Sequence, residues 1–188
     1  MAPSALPETI PTSALETRLS EVQTESLHPL HLHHLASSIL HNLQHQHDWT
    51  SLSINTKSTK TGLALPRPII SGLPPRRAYI HPDEQVAILK AEHKDGKTVP
   101  QNPEQEWVLP THIGEKWSLK NFAAVFDALD TVPPTTEEDD DDDEEEAVVG
   151  QQWQGKNRQK RLLLATLHDD STVVYYIMHD GLVKPRQN

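Results

Sequence analysis

Cysteine is absent from the 188-residue chain. That excludes a disulfide framework and any thiolate metal site. No apolar run approaches the ~20 residues needed to span a bilayer as a helix. The opening stretch "MAPSALPETIPTSALETRLSE" has no basic region followed by an apolar block, so no signal peptide is expected and the inside of a cell is the expected location. A basic surplus is missing as well. The net charge is −10, and residues 137–146, "EEDDDDDEEE", are ten consecutive carboxylates. Without that run the remaining chain is neutral, so nothing in the overall charge drives strong nucleic-acid binding.

What is present reads as one domain with a sizeable core. Residues 1–25 are rich in Pro, Ser, Thr and Glu and are expected to form a disordered arm before a single domain over 26–188. From Ser26 a helical period places Leu32, Leu35, Ala36, Ile39 and Leu43 on one face, ending near Asp48. "WTSLSINT" (49–56) reads as a strand with Leu52 and Ile54 on one side, and "GLALPRPIISGLPPR" has room for another. "YIHPDEQVAILKAEHKDGK" is a punctuated helix. Pro82 suits the first turn, Asp83 and Glu84 complement the N-terminal dipole, Gly96 terminates, and Val86 and Leu89 supply an apolar face. "EWVLPTHI" reads as a short strand. Ser118 is positioned to cap a further helix that turns Leu119, Phe122, Val125, Phe126 and Leu129 inward. The acidic run lies within 131–157, expected to be a long disordered surface loop because like charges this dense repel. "KRLLLATLHDDSTVVYYIMHDGLV" is expected to be a hairpin with a short third segment after "HDG". Helices and strands around one sheet make the fold class α/β or α+β.

Four constellations could carry chemistry. His41 and His45, four apart in a His-rich stretch, share a helix face and could hold a metal, but there is no HExxH and no identifiable third ligand; a His-rich solvent face is the plainer account. Residues 82–94, "PDEQVAILKAEHK", match the PD…ExK pattern of metal nucleases, with Asp83 and Glu92 as ligands and Lys94 stabilising charge. On a helix, however, nine residues separate Asp83 from Glu92 by roughly 13 Å, too far for one metal. In "HDDS" (168–171), Asp169 and Asp170 could meet a metal, yet Asp and Ser are ordinary turn residues. The acidic run could attract basic proteins or simply solubilise.

Three blocks, "YIHPDEQ" (79–85), "EWVLPTHIGEKWSLKNFAAVFDAL" (106–129) and "KRLLLATLHDDSTVVYYIMHDGLVKPRQN" (160–188), together resemble the small Sen-fifteen subunit of the eukaryotic tRNA-splicing endonuclease in its fungal form. The resemblance implies an endonuclease-like domain with a central mixed sheet flanked by helices. It also implies a nuclear four-subunit complex that removes introns from precursor tRNA, an organelle surface being the other location open to such a complex. In that family two other subunits cut. The small one is structural and pairs with the subunit cutting the 3′ splice site, touching precursor tRNA only indirectly. The cutting subunits use Tyr, His and Lys for proton transfer at a ribose 2′-OH. Their His-bearing "YPGDP…HA"-like block is absent here, so no catalytic residue, cofactor or metal is expected. The alternatives are a metal nuclease using Asp83, Glu92 and Lys94, or an acidic-loop binder of basic proteins.

On that reading the C-terminal strand is the partner interface. Val173, Tyr175 and Ile177 face one side, Val174, Tyr176 and Met178 the other, and Leu182 follows. With apolar residues on both faces, the helix from Ser118 is expected to cover one side and the partner the other; without a partner the edge could form a homodimer. Lys156, Arg158, Lys160 and Arg161 of "KNRQKR", with Lys184 and Arg186 in the tail, are candidates for any RNA contact. The same hexapeptide is a weak nuclear signal.

Overall fold

The computed structural model describes residue 13, residues 28–134 and residues 149–181. The elements, in order, are α1 (Leu30–Gln46), β1 (Thr50–Lys57), β2 (Ala64–Leu73), α2 (Pro82–Asp95), β3 (Glu106–His112), α3 (Leu119–Ala128), two short 3₁₀ turns over residues 151–157, β4 (Arg161–Leu167) and β5 (Val173–His179). The strands form one mixed sheet in chain order, β1-β2-β3-β4-β5. All neighbours are antiparallel except β3 and β4, which are parallel. The fold is therefore α+β.

Strand alternation divides the core in two. On one face Ile70, Val108 and Ala165 pack under Leu35, Ile39, Leu40 and Leu43 of α1. On the other, Ile69, Trp107, Leu109 and Leu162 pack under Val125 and Phe126 of α3 and Leu129 just after it. Each fully buried Leu or Ile contributes roughly 1.5–3 kcal/mol by leaving water. Gly72 lets Leu52 and Trp49 of the α1-side layer close on β2. A Cβ there would lie 2.6 Å from Cδ2 of Leu52 and 3.2 Å from the Trp49 ring.

Three prolines sit inside strands, and each falls where no ladder needs its missing N–H. Pro66 and Pro68 lie between Ala64 and Ile69, where β2 is out of register with β1 and not yet paired with β3. Pro110 lies past Val108, the last β3 residue paired to β2. In the gap Arg67 makes a two-pronged ion pair with Glu115, at 2.6 and 3.1 Å, under the ring of Trp117. Burial pushes Glu115 upward, but the Arg67 hydrogen bonds and charge outweigh it and hold the carboxyl below its ordinary value.

Two helical expectations need correcting. Val86 and Leu89 are 42% and 57% exposed; α2 is anchored instead by buried Glu84 and Ile88. The helix keeps its expected ends, with a His81 capping box and Gly96 at φ 65°. Leu119 is 89% exposed, because the first turn of α3 overhangs the core and Trp117 stacks on Phe122 there.

The expected loop 131–157 is narrower than its composition suggests, since its last third is bound into the fold. Trp153 stacks on His81, and Gln154 donates to Glu84 Oε1 at 2.8 Å. Gly155 N–H donates to Glu104 Oε1 at 2.7 Å. Gly150, at φ 89°, sits so close to Glu84 that a Cβ would lie 2.9 Å from its Cγ. The acidic run 137–146 and the arm 1–25, apart from residue 13, lie outside the described residues.

Candidate interaction site

The C-terminal hairpin is built as its residues dictate. Ser171 takes a left-handed φ of 67°, His168 N–H donates to Thr172 O, and Thr172 N–H donates to Asp170 Oδ1 at 3.0 Å. These are turn contacts. They lower the exposed Asp170 carboxyl. Asp169 meets His112 Nε2 at 3.3 Å on the surface. β5 then runs back along β4 in unbroken register, from Val173 opposite Leu167 to His179 opposite Arg161. Among the described residues no further strand pairs with β5, so its outer N–H and C=O groups form an edge of the sheet.

The two faces of β5 differ from expectation. Val173 and Tyr175 pack on the α1 core, so a helix lies on each side of β5, where one side was expected to be left to a partner. Met178 packs toward α3. Tyr175 is fixed at both ends: its OH donates to Asn42 Oδ1 at 2.6 Å, and its ring meets His47 edge-on at 5.2 Å. Burial pushes its phenol well above the ordinary value. Tyr176 and Ile177, one on each face, are the uncovered pair at 57% and 37% exposed. Val174 is half-buried. Leu182 lies outside the described residues. An exposed apolar pair on an edge strand is a surface suited to strand addition.

The candidate RNA contacts are redistributed more sharply. Arg158 and Arg161 are buried, not exposed. Arg158 bonds both carboxylate oxygens of Glu106 and one of Glu104, and Arg161 bonds the same two residues. Arg77 pairs with buried Glu84 at 2.7 and 3.0 Å and approaches Glu104 at 3.8 Å. Three arginines and three glutamates thus form a neutral buried network joining β3, β4, α2 and the segment after the acidic run. Glu104 is pushed upward by burial, but the Gly155 N–H and the Arg158 and Arg77 charges outweigh this and lower it. Lys160 donates to the Phe126 carbonyl near the end of α3, and burial lowers its ammonium. Of the four, Lys156 is the exposed one; Lys184 and Arg186 lie outside the described residues.

The sequence patterns with metal character stay apart. Asp83 is in the first turn of α2, and Glu92 Oε1 accepts from Val99 N–H at 2.9 Å near its far end. The rings of His41 and His45 lie 4.4 Å apart on α1. Among the described residues no group of three or more His, Asp or Glu is placed to hold a metal. Tyr79 and His81 are also committed. Tyr79 lies against His179 and under the Arg161 guanidinium, and His81 Nδ1 accepts from Asp83 N–H. Among the described residues no helix is long and apolar enough to cross a membrane.

The features define an α+β domain whose outer strand β5 keeps Tyr176 and Ile177 exposed. The family profile described as "Sen15 protein" matches residues 38–188, and the chain belongs to that family. It is 52% identical over 158 residues, 84% of this chain and 67% of the relative, to "Probable tRNA-splicing endonuclease subunit tsp-1" of Neurospora crassa.

Proposed function

We propose that this chain is a non-catalytic structural subunit of the tRNA-splicing endonuclease. It supports the subunit that cuts the 3′ splice site, works in the nucleus, and touches precursor tRNA through that complex. The name of the Neurospora relative supports the complex. The observation that carries the structural role is the β5 edge with Tyr176 and Ile177 uncovered on its two faces. A second chain pairing there would gain main-chain hydrogen bonds and cover both side chains. The same edge would let the isolated chain form a homodimer. A structural role also accords with the Tyr and His side chains: Tyr79 and Tyr175 lie in packing contacts, and His81 Nδ1 caps α2.

The test is co-purification with the 3′-cutting subunit. Tyr176→Asp should leave the domain folded and abolish assembly, whereas Tyr175→Asp should unfold it. If Tyr176→Asp and Ile177→Asp both remain folded and still assemble, the edge is not the interface. Highly purified isolated chain should not excise an intron from precursor tRNA. Excision that is lost in His81→Ala would overturn the non-catalytic role.

A further inference from the structure

On the α1 face of the sheet, α1 ends at Gln46 while the sheet continues to its edge. A cavity of about 460 Å³ opens there. Leu163 and Tyr175 floor it, Leu43 and Trp49 wall it below the end of α1, and Pro74 and Ala78 close it from the segment between β2 and α2. Its rim is polar, with Gln46, His47, Asp48 and Arg76.

The cavity is continuous with the β5 edge. Leu163 of its floor is the register partner of Ile177. Ile177 lies two residues from Tyr175, hence on the same face of the strand. The lining thus reaches the edge strand itself at Tyr175, with the exposed Ile177 beside it. The Tyr175 floor is held by Asn42 and His47, so the cavity is pre-formed.

We propose that this cavity is the specificity pocket for the chain that pairs with β5. It receives one large aromatic side chain from the partner's added strand, at the position set against Tyr175 and Ile177. The proposal rests on the edge pairing described under Proposed function. Strand addition supplies main-chain bonds that are blind to sequence, and pockets for alternate side chains supply the choice of partner. An added strand lies about 4.8 Å beyond β5, beside Tyr175 and one strand further from Leu163, so a side chain must lean across β5 to reach the Leu163 part of the floor. Short side chains end before it; Phe, Tyr or Trp reaches it. The apolar floor disfavours a charged tip, while His47 and Asp48 on the rim can bond a Tyr hydroxyl or Trp N–H.

The test uses the full chain co-expressed with the 3′-cutting subunit. Ala78→Trp fills the cavity from its wall, Tyr176→Asp damages the edge alone, and benzoylphenylalanine at position 46 probes the rim by photocrosslinking. The expected result is at least a tenfold rise in Kd for Ala78→Trp with an unchanged melting temperature, and a crosslink from position 46 to an aromatic-bearing strand of the partner. If Tyr176→Asp abolishes pairing while Ala78→Trp binds as the parent does, the pocket is refuted and the edge survives. If both variants bind as the parent does, both readings fall. Weakening by Ala78→Trp alone refutes strand pairing and this proposal with it. Should Ala78→Trp destabilise the fold, the crosslink decides: transfer to the partner strand upholds the pocket, and no transfer overturns it.

Discussion

Replacing Arg158 with Ala removes one of three guanidinium groups from the buried network and leaves three carboxylates facing two cations. Arg158 donates to Glu104 Oε2 at 3.0 Å, to Glu106 at 3.1 and 3.0 Å, and to the Gln105 carbonyl at 3.0 Å. Glu106 is wholly buried, so water does not replace those bonds; Arg161 still holds it, at 2.5 Å at the closest. Breaking a buried ion pair by removing one partner costs about 3–5 kcal/mol. Arg161 retains part of the pairing, so the lower end, about 3 kcal/mol, is expected. A domain of this size loses about 2–4 °C of Tm per kcal/mol, giving a fall of roughly 6–12 °C. Thermal melts followed by circular dichroism, with urea titrations to check that the m-value is unchanged, measure it. Lys156→Ala, on the exposed turn, is the control and should shift stability by less than about 0.5 kcal/mol. If Arg158→Ala melts with the parent protein and instead loses RNA binding, the guanidinium is solvent-facing and the network argument is refuted.

Gly72→Ala should destabilise by about 1–3 kcal/mol through overpacking against Leu52 and Trp49, read from urea midpoints. Deleting residues 137–146 should leave the melt within about 0.5 kcal/mol, whereas deleting 149–157 should abolish its cooperativity, because Gln154, Gly155 and Trp153 hold buried or capping groups. Acid should destabilise the fold in two stages, followed by Tm against pH. The folded-state values of His33 and His179 lie below the ordinary 6.5, lowered chiefly by burial, so stability is full above 6.5 and falls as acid charges them. Glu104 and Glu115 lie below the ordinary 4.5, so what they contribute is complete above 4.5 and is lost as pH drops through their folded values. Tyr175→Phe should cost about 1 kcal/mol by orphaning Asn42, measured by urea titration.

Much of the fold is legible before any coordinates. The periodicity of Leu35, Ile39 and Leu43 marks the buried stripe of α1, Pro82 and Gly96 mark the ends of α2, and Asp170 and Ser171 mark the hairpin turn. These signals are local. What stays hidden depends on partners distant in sequence. Glu106 opens a strand that is otherwise apolar, and nothing near it announces that Arg158 and Arg161 lie more than fifty residues on. Charged residues are ordinarily read as surface, which is why the KNRQKR stretch resembles an RNA contact. The apolar character of β5 on both faces is legible, but not that α1 returns to cover Tyr175. Nor does composition distinguish the acidic run from its Trp153-bearing flank. Of the interaction site, the strand itself can be read, while the uncovered pair Tyr176 and Ile177 emerges only once both helices are placed.

The neutral network also hides a cluster of cleavage points. Lys156, Arg158, Lys160 and Arg161 give trypsin four target bonds within six residues, yet Arg158 and Arg161 are seated on Glu106 and Lys160 on the Phe126 carbonyl. A protease needs the side chain drawn into its own pocket, so three of the four bonds are closed while the seam between the post-acidic segment and β3 stays shut. The rate of nicking there becomes a clock for local opening, separate from global unfolding. Binding of a second chain along β5, which pairs with the strand carrying Arg161, would slow that clock without covering the cut sites themselves.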